Sequence, residues 1–598
     1  VTYTAPIDDI RFTLDHMADF ADVMEGGTFP GLDQDLVETI LTEAGKLAGG
    51  VMAPLNAIGD HHGATLENGQ VRTAPGFADA YKAFVEGGWN GVPFDPDHGG
   101  QGLPWTLAIA VQEMWHASNM SLGLCPMLTQ GAVEALSAHG SEALKATYLD
   151  KLVSGEWTGT MNLTEPQAGS DVGALTAKAV RQNDGTYRIT GTKIYITFGD
   201  HDMAPNIIHL VLARLPDAPI GTRGISLFLV PKFLVNADGS LGARNDAQCV
   251  GLEEKLGIHG SPTCTMAYDG AIGYLVGAEN RGMACMFTMM NNARLSVGLQ
   301  GVAIAERSFQ QALAYAHDRR QGKPFGLQHE VREMIPIIVH PDVRRMLLMM
   351  KSTTAACRAI CYATAVSLDL SRHAASQELR DYHRARADLL TPIAKAFSTD
   401  MGVEMTSLGV QIHGGAGFVE RTGSAQHFRD ARIAPIYEGT NGIQAIDLVS
   451  RKVTLKDGQV FAALVAEMRA SLSGAQARTE PEFAIIAQHL AQAIDALAGN
   501  ADWLTEQAKT KAYEALAGAS AFLRQAGLTL GLALLTKGAV NAALALDQGA
   551  ERTKFLSSKI ALARFFAEHQ TAQGMGLTIA IRSGTDALYA IDPDDLAA

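Results

Sequence analysis

A change of hydrophobic period, from helical spacing to short β runs and back, constrains the fold of this chain more than any other feature. From Ile10 to about Val153 apolar residues recur at helical spacing, as in LVETILTEAGKLAGGVM and GFADAYKAFVEGGW, broken by the loop FDPDHGGQGLPW. Between about Trp157 and Asn280 the pattern becomes short β-branched and aromatic runs, TYRITGTKIYITFG, NIIHLVLARL and RGISLFLVPKFLV, punctuated by Gly, Asp and Pro. From about Met283 long helical segments return, and after Lys456 an Ala- and Leu-rich stretch continues in the same period. An α, then β, then α order excludes a doubly wound parallel sheet, in which strands and helices alternate throughout.

The reading is therefore an α+β chain in four parts. These are an N-terminal helical domain over 1–157, a central antiparallel β-domain over 158–280, a four-helix-bundle-like domain over 281–455 and an extra helical domain over 456–598. At 598 residues several cores are expected. With 47% hydrophobic and 19% charged residues, no long disordered stretch is expected.

A formal charge of −15 argues against a polyanion binder, because nucleic-acid affinity depends on Lys and Arg releasing counterions. Six cysteines, Cys125, Cys249, Cys264, Cys285, Cys357 and Cys361, lack a CxxC or zinc-like spacing and read as reduced core residues of a cytoplasmic protein. The opening VTYTAPIDDIRFTLDHM lacks the basic and apolar regions of a secretory signal. No run of about 20 uncharged apolar residues suggests a membrane span. Phosphate-loop, HExxH and GxSxG signatures are absent, and no metal site is expected.

Three stretches carry chemistry. Met161 to Asp171, MNLTEPQAGSD, combines small residues that permit close backbone approach with the amides of Gly169 and Ser170 and the Thr164 hydroxyl, donors suited to the polar edge of a flat heterocycle. An ordinary turn has a similar composition. In MMNNARLSVGLQG, Asn291 and Arg294 lie three apart and share a helix face. In QIHGGAGFVERTGSAQHFRDARIAPIYEGTNGIQAIDLVSR, Glu438 precedes a helix, where an acidic residue is favoured for electrostatic reasons alone.

TEPQAGSD followed by ITGTKIYITFGD resembles the flavin-binding β-domain of the acyl-CoA dehydrogenase family, and the stretch from Gln411 to Arg451 resembles that family's active-site signature. The resemblance implies FAD, with Leu163, Thr164, Gly169 and Ser170 at the pyrimidine side of the flavin and Tyr195, Ile196 and Thr197 covering the ring. The family usually carries Trp at the position of Tyr195 and often an aromatic residue at that of Met161. It further implies Arg319 at the pyrophosphate, with Arg320 as its neighbour, Gln411, Gly414 and Gly415 at the adenosine end of an FAD commonly bound by a neighbouring subunit, and Thr440 as a cofactor contact. Ser170, Asn291 and Arg294 are implied to contact the substrate.

Glu438 is implied as the base that takes the α-proton of an acyl-CoA thioester while the β-hydride passes to the flavin, yielding a trans-2-enoyl-CoA. One branch of the family places its base immediately before the arginine matching Arg294; here that residue is Ala293, which cannot accept a proton. The extended C-terminus, GIHGSPTCTM and MMNNARLSVGLQG look like the long subclass of the family, some members of which act on 3-methylmercaptopropionyl-CoA, with another short or medium acyl-CoA as the alternative. Electron-transferring flavoprotein as acceptor and a homodimer are implied, with an acyl-CoA oxidase as the alternative enzyme. A flavin-bearing DNA-binding branch of the superfamily has a basic tail, whereas from Lys456 onward this chain has 12 Lys and Arg against 15 Asp and Glu.

Overall fold

The computed structural model describes residues 3–324, 326 and 333–597. The chain divides into two compact units: one of residues 2–5 and 35–296, the other of residues 6–34 and 297–598. The division falls within the 37-residue helix Gly282–Asp318.

In the unit of residues 35–296, the helices Trp105–Ser118 and Met120–His139 are apolar on nearly all faces and correspondingly buried along almost their whole length. Asn119 separates them, its side-chain oxygen accepting the Leu122 amide at 3.1 Å as an N-cap. The β-domain is a seven-stranded sheet. Starting from the 14-residue strand Thr263–Val276, pairing runs through Tyr187–Thr197, Lys178–Arg181, Ile207–Arg214 and Ile225–Pro231 and returns to Thr263–Val276. Most pairs are antiparallel as the sequence predicts, but the sheet is mixed, since Thr158–Asn162 runs parallel to Ile207–Arg214. A parallel pair needs a long crossover, and the intervening chain provides one that contains two strands of its own. Ile189, Val211, Phe228, Val230 and Ala271 form part of the core beneath.

In the other unit, the long helices Pro341–His373 and Gln377–His413 lie side by side, and the helix Ala519–Asp547 packs on both. The helix Gly282–Asp318 crosses Gln377–His413 so closely that a Cβ on Gly301 would sit 2.1 Å from the Ser398 carbonyl oxygen, so only glycine fits there. Ala519–Asp547 is long and apolar enough to cross a membrane by length and composition, but 72% of its most apolar 18-residue window is buried within the protein, as expected of a core helix.

The first two helices, Ile7–His16 and Phe20–Glu25, belong to this C-terminal unit rather than to the helices that follow them in the 1–157 region. Charge pairing explains the docking: Asp9 meets Lys351 at 2.6 Å and Lys559 on the helix Thr553–Phe566, beside a buried Arg358–Glu306 pair at 3.0 Å. All six cysteines are buried and none forms a disulfide, as read from their spacing.

Candidate active site

The β-domain brings two of the sequence-predicted segments together. Leu163 and Thr164 lie beside the strand Tyr187–Thr197: the Lys193 ammonium donates to the Leu163 carbonyl at 2.9 Å and the Ile194 amide to the Thr164 carbonyl at 2.9 Å. A tight turn follows, with Glu165 and Ala168 exchanging both backbone bonds at 3.0 Å, and it leaves Gly169 and Ser170 exposed. Strand alternation by itself would aim Tyr195 inward with Ile189 and Lys193. Instead Ile194 and Tyr195 together oppose Thr265, a β-bulge, and Tyr195 adopts φ 60°. The bulge turns the Tyr195 ring outward, 60% exposed, and Ile196 inward at 2%. Tyr195 therefore offers a free aromatic face, whereas Ile196 has only its backbone to offer. Thr197 is fixed from behind by the Thr160 hydroxyl, which donates to its carbonyl at 2.7 Å.

Under this loop lies a pair the sequence reading did not single out. The Lys193 and Glu165 side chains are buried and meet at 2.8 Å. Glu165 also accepts the Thr176 amide at 2.7 Å, the Thr176 hydroxyl at 2.9 Å, the Ala177 amide at 3.0 Å and the Gln167 side chain at 2.7 Å. Burial alone pushes this carboxyl up, but the lysine and the two amides outweigh burial and hold it down at about 2, whereas burial pushes the Lys193 ammonium down to about 8. The signal was present in the sequence: a lysine at an inward position of the alternation Tyr187, Ile189, Gly191, Lys193 needs a buried partner.

Because the folded Glu165 pKa lies below its ordinary 4.5, the stabilisation is complete above that pH and is lost as the pH falls through about 2. Glu165→Gln should cost about 2 kcal/mol at neutral pH. The gap between the wild-type and variant denaturation midpoints should narrow as the pH drops from 4.5 towards 2. A gap independent of pH would contradict this account.

Asn291 and Arg294 lie three apart in the third and fourth turns of the helix Gly282–Asp318, on one face of it. Asn291 is exposed, and the Arg294 guanidinium lies 5.9 Å from the Phe287 ring centroid. Ala293 is buried at 5% exposure.

In the C-terminal unit, Arg319 follows the end of the helix Gly282–Asp318 with an exposed guanidinium. Arg319 bonds the Gln321 side-chain oxygen at 3.4 Å and Arg320 the Met334 carbonyl at 3.2 Å, and both residues are exposed. Gln411 is exposed near the end of the helix Gln377–His413, and Gly414, at φ 59°, stops that helix by bonding back to the Gln411 carbonyl at 3.0 Å. Gly414 and Gly415 are exposed, and neither would bring a Cβ within 4 Å of another atom, so a ligand has direct access to this backbone.

Glu438 occupies a turn between Tyr437 and the helix Asn441–Asp447, half-buried, at φ 56°. A non-glycine residue in this conformation costs about 1–3 kcal/mol and persists only where its surroundings fix it. Here they do. The buried Tyr437 hydroxyl donates to Gln300, burial and then the neighbouring Glu438 pushing its pKa up. Thr440 caps the helix through the Ile443 amide at 3.2 Å, and the Asn441 amide bonds the Pro435 carbonyl at 3.0 Å. The Lys395 ammonium reaches the Gly439 carbonyl at 2.8 Å.

The chain matches known family domains along most of its length. Residues 61–156, 160–271 and 280–453 match the N-terminal, middle and C-terminal domains of acyl-CoA dehydrogenase, and residues 464–592 match the acetyl-CoA dehydrogenase C-terminal-like domain. The chain is 49% identical to 3-methylmercaptopropionyl-CoA dehydrogenase of Ruegeria pomeroyi over 95% of its length and 96% of the relative's. It is 33% identical to the broad-specificity linear acyl-CoA dehydrogenase FadE5 of Mycobacterium tuberculosis over 95% of both chains. The fold is shared with an acyl-CoA dehydrogenase of Bacillus anthracis complexed with FAD, at a TM-score of 0.73 and 20% identity over 95% of this chain and 90% of that one. The chain belongs to the acyl-CoA dehydrogenase family, FAD-dependent enzymes that act on acyl-CoA thioesters.

Proposed function

We propose that the protein dehydrogenates 3-methylmercaptopropionyl-CoA to 3-methylthioacryloyl-CoA, with Glu438 as the base. The observation that carries the catalytic assignment is the Glu438 backbone, a carboxylate held at φ 56° on a turn braced from both sides. The substrate reading rests on the 49% identity to the Ruegeria pomeroyi enzyme over nearly its whole length.

The residues present fit FAD. The outward Tyr195 ring gives a stacking face, the exposed turn at Gly169 and Ser170 gives amide donors, and Arg319 and the open Gly414–Gly415 backbone suit an anionic and a polar portion respectively. Bound FAD supplies the acceptor for the hydride that leaves Cβ. The protein holds the rest of the chemistry. Glu438 takes the α-proton, and its own backbone N–H donates to the thioester oxygen, where negative charge develops. Arg294 and Asn291 contact the coenzyme A portion and so align the Cα–Cβ bond, which is where much of the rate enhancement arises.

Electron-transferring flavoprotein is the acceptor in this reading, the protein is cytoplasmic, and it works as a homodimer. Phe418, 86% exposed only three residues beyond Gly415, supports a subunit contact at the Gly414 turn. Adding 3-methylmercaptopropionyl-CoA anaerobically should bleach the flavin within the dead time of manual mixing. No bleaching with this substrate, but bleaching with straight-chain acyl-CoAs, would overturn the substrate assignment. Peroxide release under air at the turnover rate would make the protein an oxidase.

One methylene in place of the thioether sulfur changes shape little, so pentanoyl-CoA should retain kcat/KM within about 10-fold, whereas much longer acyl chains should lose more than about 100-fold. A panel of acyl-CoAs compared by kcat/KM decides this.

A further inference from the structure

The helix Gln377–His413 carries a lysine where its neighbours are apolar: Leu389, Leu390, Ile393, Ala394 and Phe397 are all buried, and Lys395 among them is 0% exposed. A lysine is almost never buried this completely unless it is paired. Its ammonium donates to the Gly439 carbonyl at 2.8 Å and to the Asn441 side-chain oxygen at 2.8 Å. The Asn441 side-chain nitrogen, with two hydrogens to give, donates to the Asp400 carboxylate at 2.6 Å and lies within reach of the Thr399 hydroxyl at 3.0 Å and the Ala396 carbonyl at 3.1 Å. An amide thus joins a buried cation to a carboxylate five residues further along the same helix, and the Gly439 carbonyl is fastened to the cationic end.

That carbonyl belongs to the residue directly after Glu438. Gly439 follows at φ 83°, a conformation glycine adopts freely, so the strain rests on Glu438, whose φ of 56° relaxes unless it is held. Tyr437 and Gln300 hold the turn on its N-terminal side. On its C-terminal side the charge-assisted bond from Lys395 is the short one, since the Gln444 side chain reaches the Glu438 and Gly439 carbonyls only at 3.4 Å each.

We propose that Lys395 is a positioning residue for the proton-transfer step: its buried ammonium, bridged through Asn441 to Asp400, locks the Glu438–Gly439 turn and thereby aims the Glu438 carboxylate. The inference rests on Glu438 being the base. Lys395 touches neither proton nor substrate; it fixes the backbone torsions on which the carboxylate swings, and a misplacement of about 1 Å at such a point lowers a rate about 100-fold.

The test compares the FAD-loaded wild type with Lys395→Met, Lys395→Arg and Asn441→Ala by steady-state kinetics and by the isotope effect with α-deuterated acyl-CoA. Lys395→Met should lose about 100-fold in kcat with KM within about twofold, retain its flavin spectrum and show a larger α-deuterium isotope effect, as proton removal becomes fully rate-limiting. Lys395→Arg keeps the charge and the donor and should recover at least 10-fold of that loss. If Lys395→Met does not accumulate as a folded flavoprotein, Asn441→Ala decides, with about a 10-fold loss in kcat at unchanged KM expected. Wild-type kcat in the decisive variant, or loss of flavin and a raised KM without a change in isotope effect, overturns the proposal. Glu438→Gln, run in parallel, separates the two assignments: full activity there removes the base reading, while an inactive Glu438→Gln beside a fully active Lys395→Met removes only the role of Lys395.

Discussion

Glu438→Gln is expected to slow the bleaching of bound flavin by acyl-CoA about 1000-fold while leaving substrate affinity nearly unchanged. The size follows from what is lost. Glutamine fills the same space and preserves the backbone N–H, so thioester binding and its polarisation survive, but it cannot accept the α-proton, and a positioned general base contributes about 100- to 10,000-fold. No second carboxylate stands at the other position used in the family, because that residue is the buried Ala293. Rapid-mixing absorbance under anaerobic conditions measures the effect directly. Bleaching of Glu438→Gln at the wild-type rate would remove Glu438 from the mechanism.

Asp9→Asn is expected to be the most destabilising single change in the C-terminal unit, costing about 3–5 kcal/mol. Asp9 and Glu306 together face three cations, Lys351, Lys559 and Arg358, with all five side chains at most 22% exposed. Burial by itself pushes the Asp9 carboxyl up, yet the two lysines and Arg358 hold it far below the usual carboxylate range, so it remains ionised throughout the accessible pH range. Asparagine at this position leaves three cations with one carboxylate, and the repulsion falls on the contact that ties the first helix, Ile7–His16, to Pro341–His373 and Thr553–Phe566. Adding Lys559→Met to Asp9→Asn should restore part of the loss, because it removes a cation that no longer has its partner. Denaturant midpoints of the two variants against wild type supply the measurement; a loss below about 1 kcal/mol for Asp9→Asn would mean that the cluster is not what docks the first helix.

The contrast between these residues shows where sequence reading reaches and where it stops. Glu438 was found because the motif around it is contiguous: Ile436 to Gly442 carries enough local pattern to identify the turn and the following helix. Lys395 was not found, although it left a trace as an isolated charge on an apolar helix face. Its partners, Gly439 and Asn441, lie more than 40 residues away, and only the packing of their turn and short helix against Gln377–His413 makes them neighbours. Glu165 and Lys193 are a milder case, since both fall within recognisable segments but their pairing across the β-domain depends on the register of the sheet. Asp9 gave no signal at all: an acidic residue in the first turn of a helix is what helix electrostatics favour anyway.

The same distinction holds for the fold. Hydrophobic period determined the succession of helices, strands and helices, because the spacing of apolar residues sets which local structure can bury them. A contiguous motif also marked Tyr195. Its orientation was decided by the tertiary structure: alternation alone turns Tyr195 inward, and the bulge opposite Thr265 reverses it. The parallel pairing of Thr158–Asn162, the docking of the first two helices beside the C-terminal ones and the bracing of Glu438 were likewise decided by contacts between residues far apart in the chain. Periodicity and contiguous motifs report what a residue's immediate neighbours require, so the sequence named the carboxylate; the turn that carries it is fastened at Gly439 by a lysine on the helix Gln377–His413, a contact that exists only once the chain has packed.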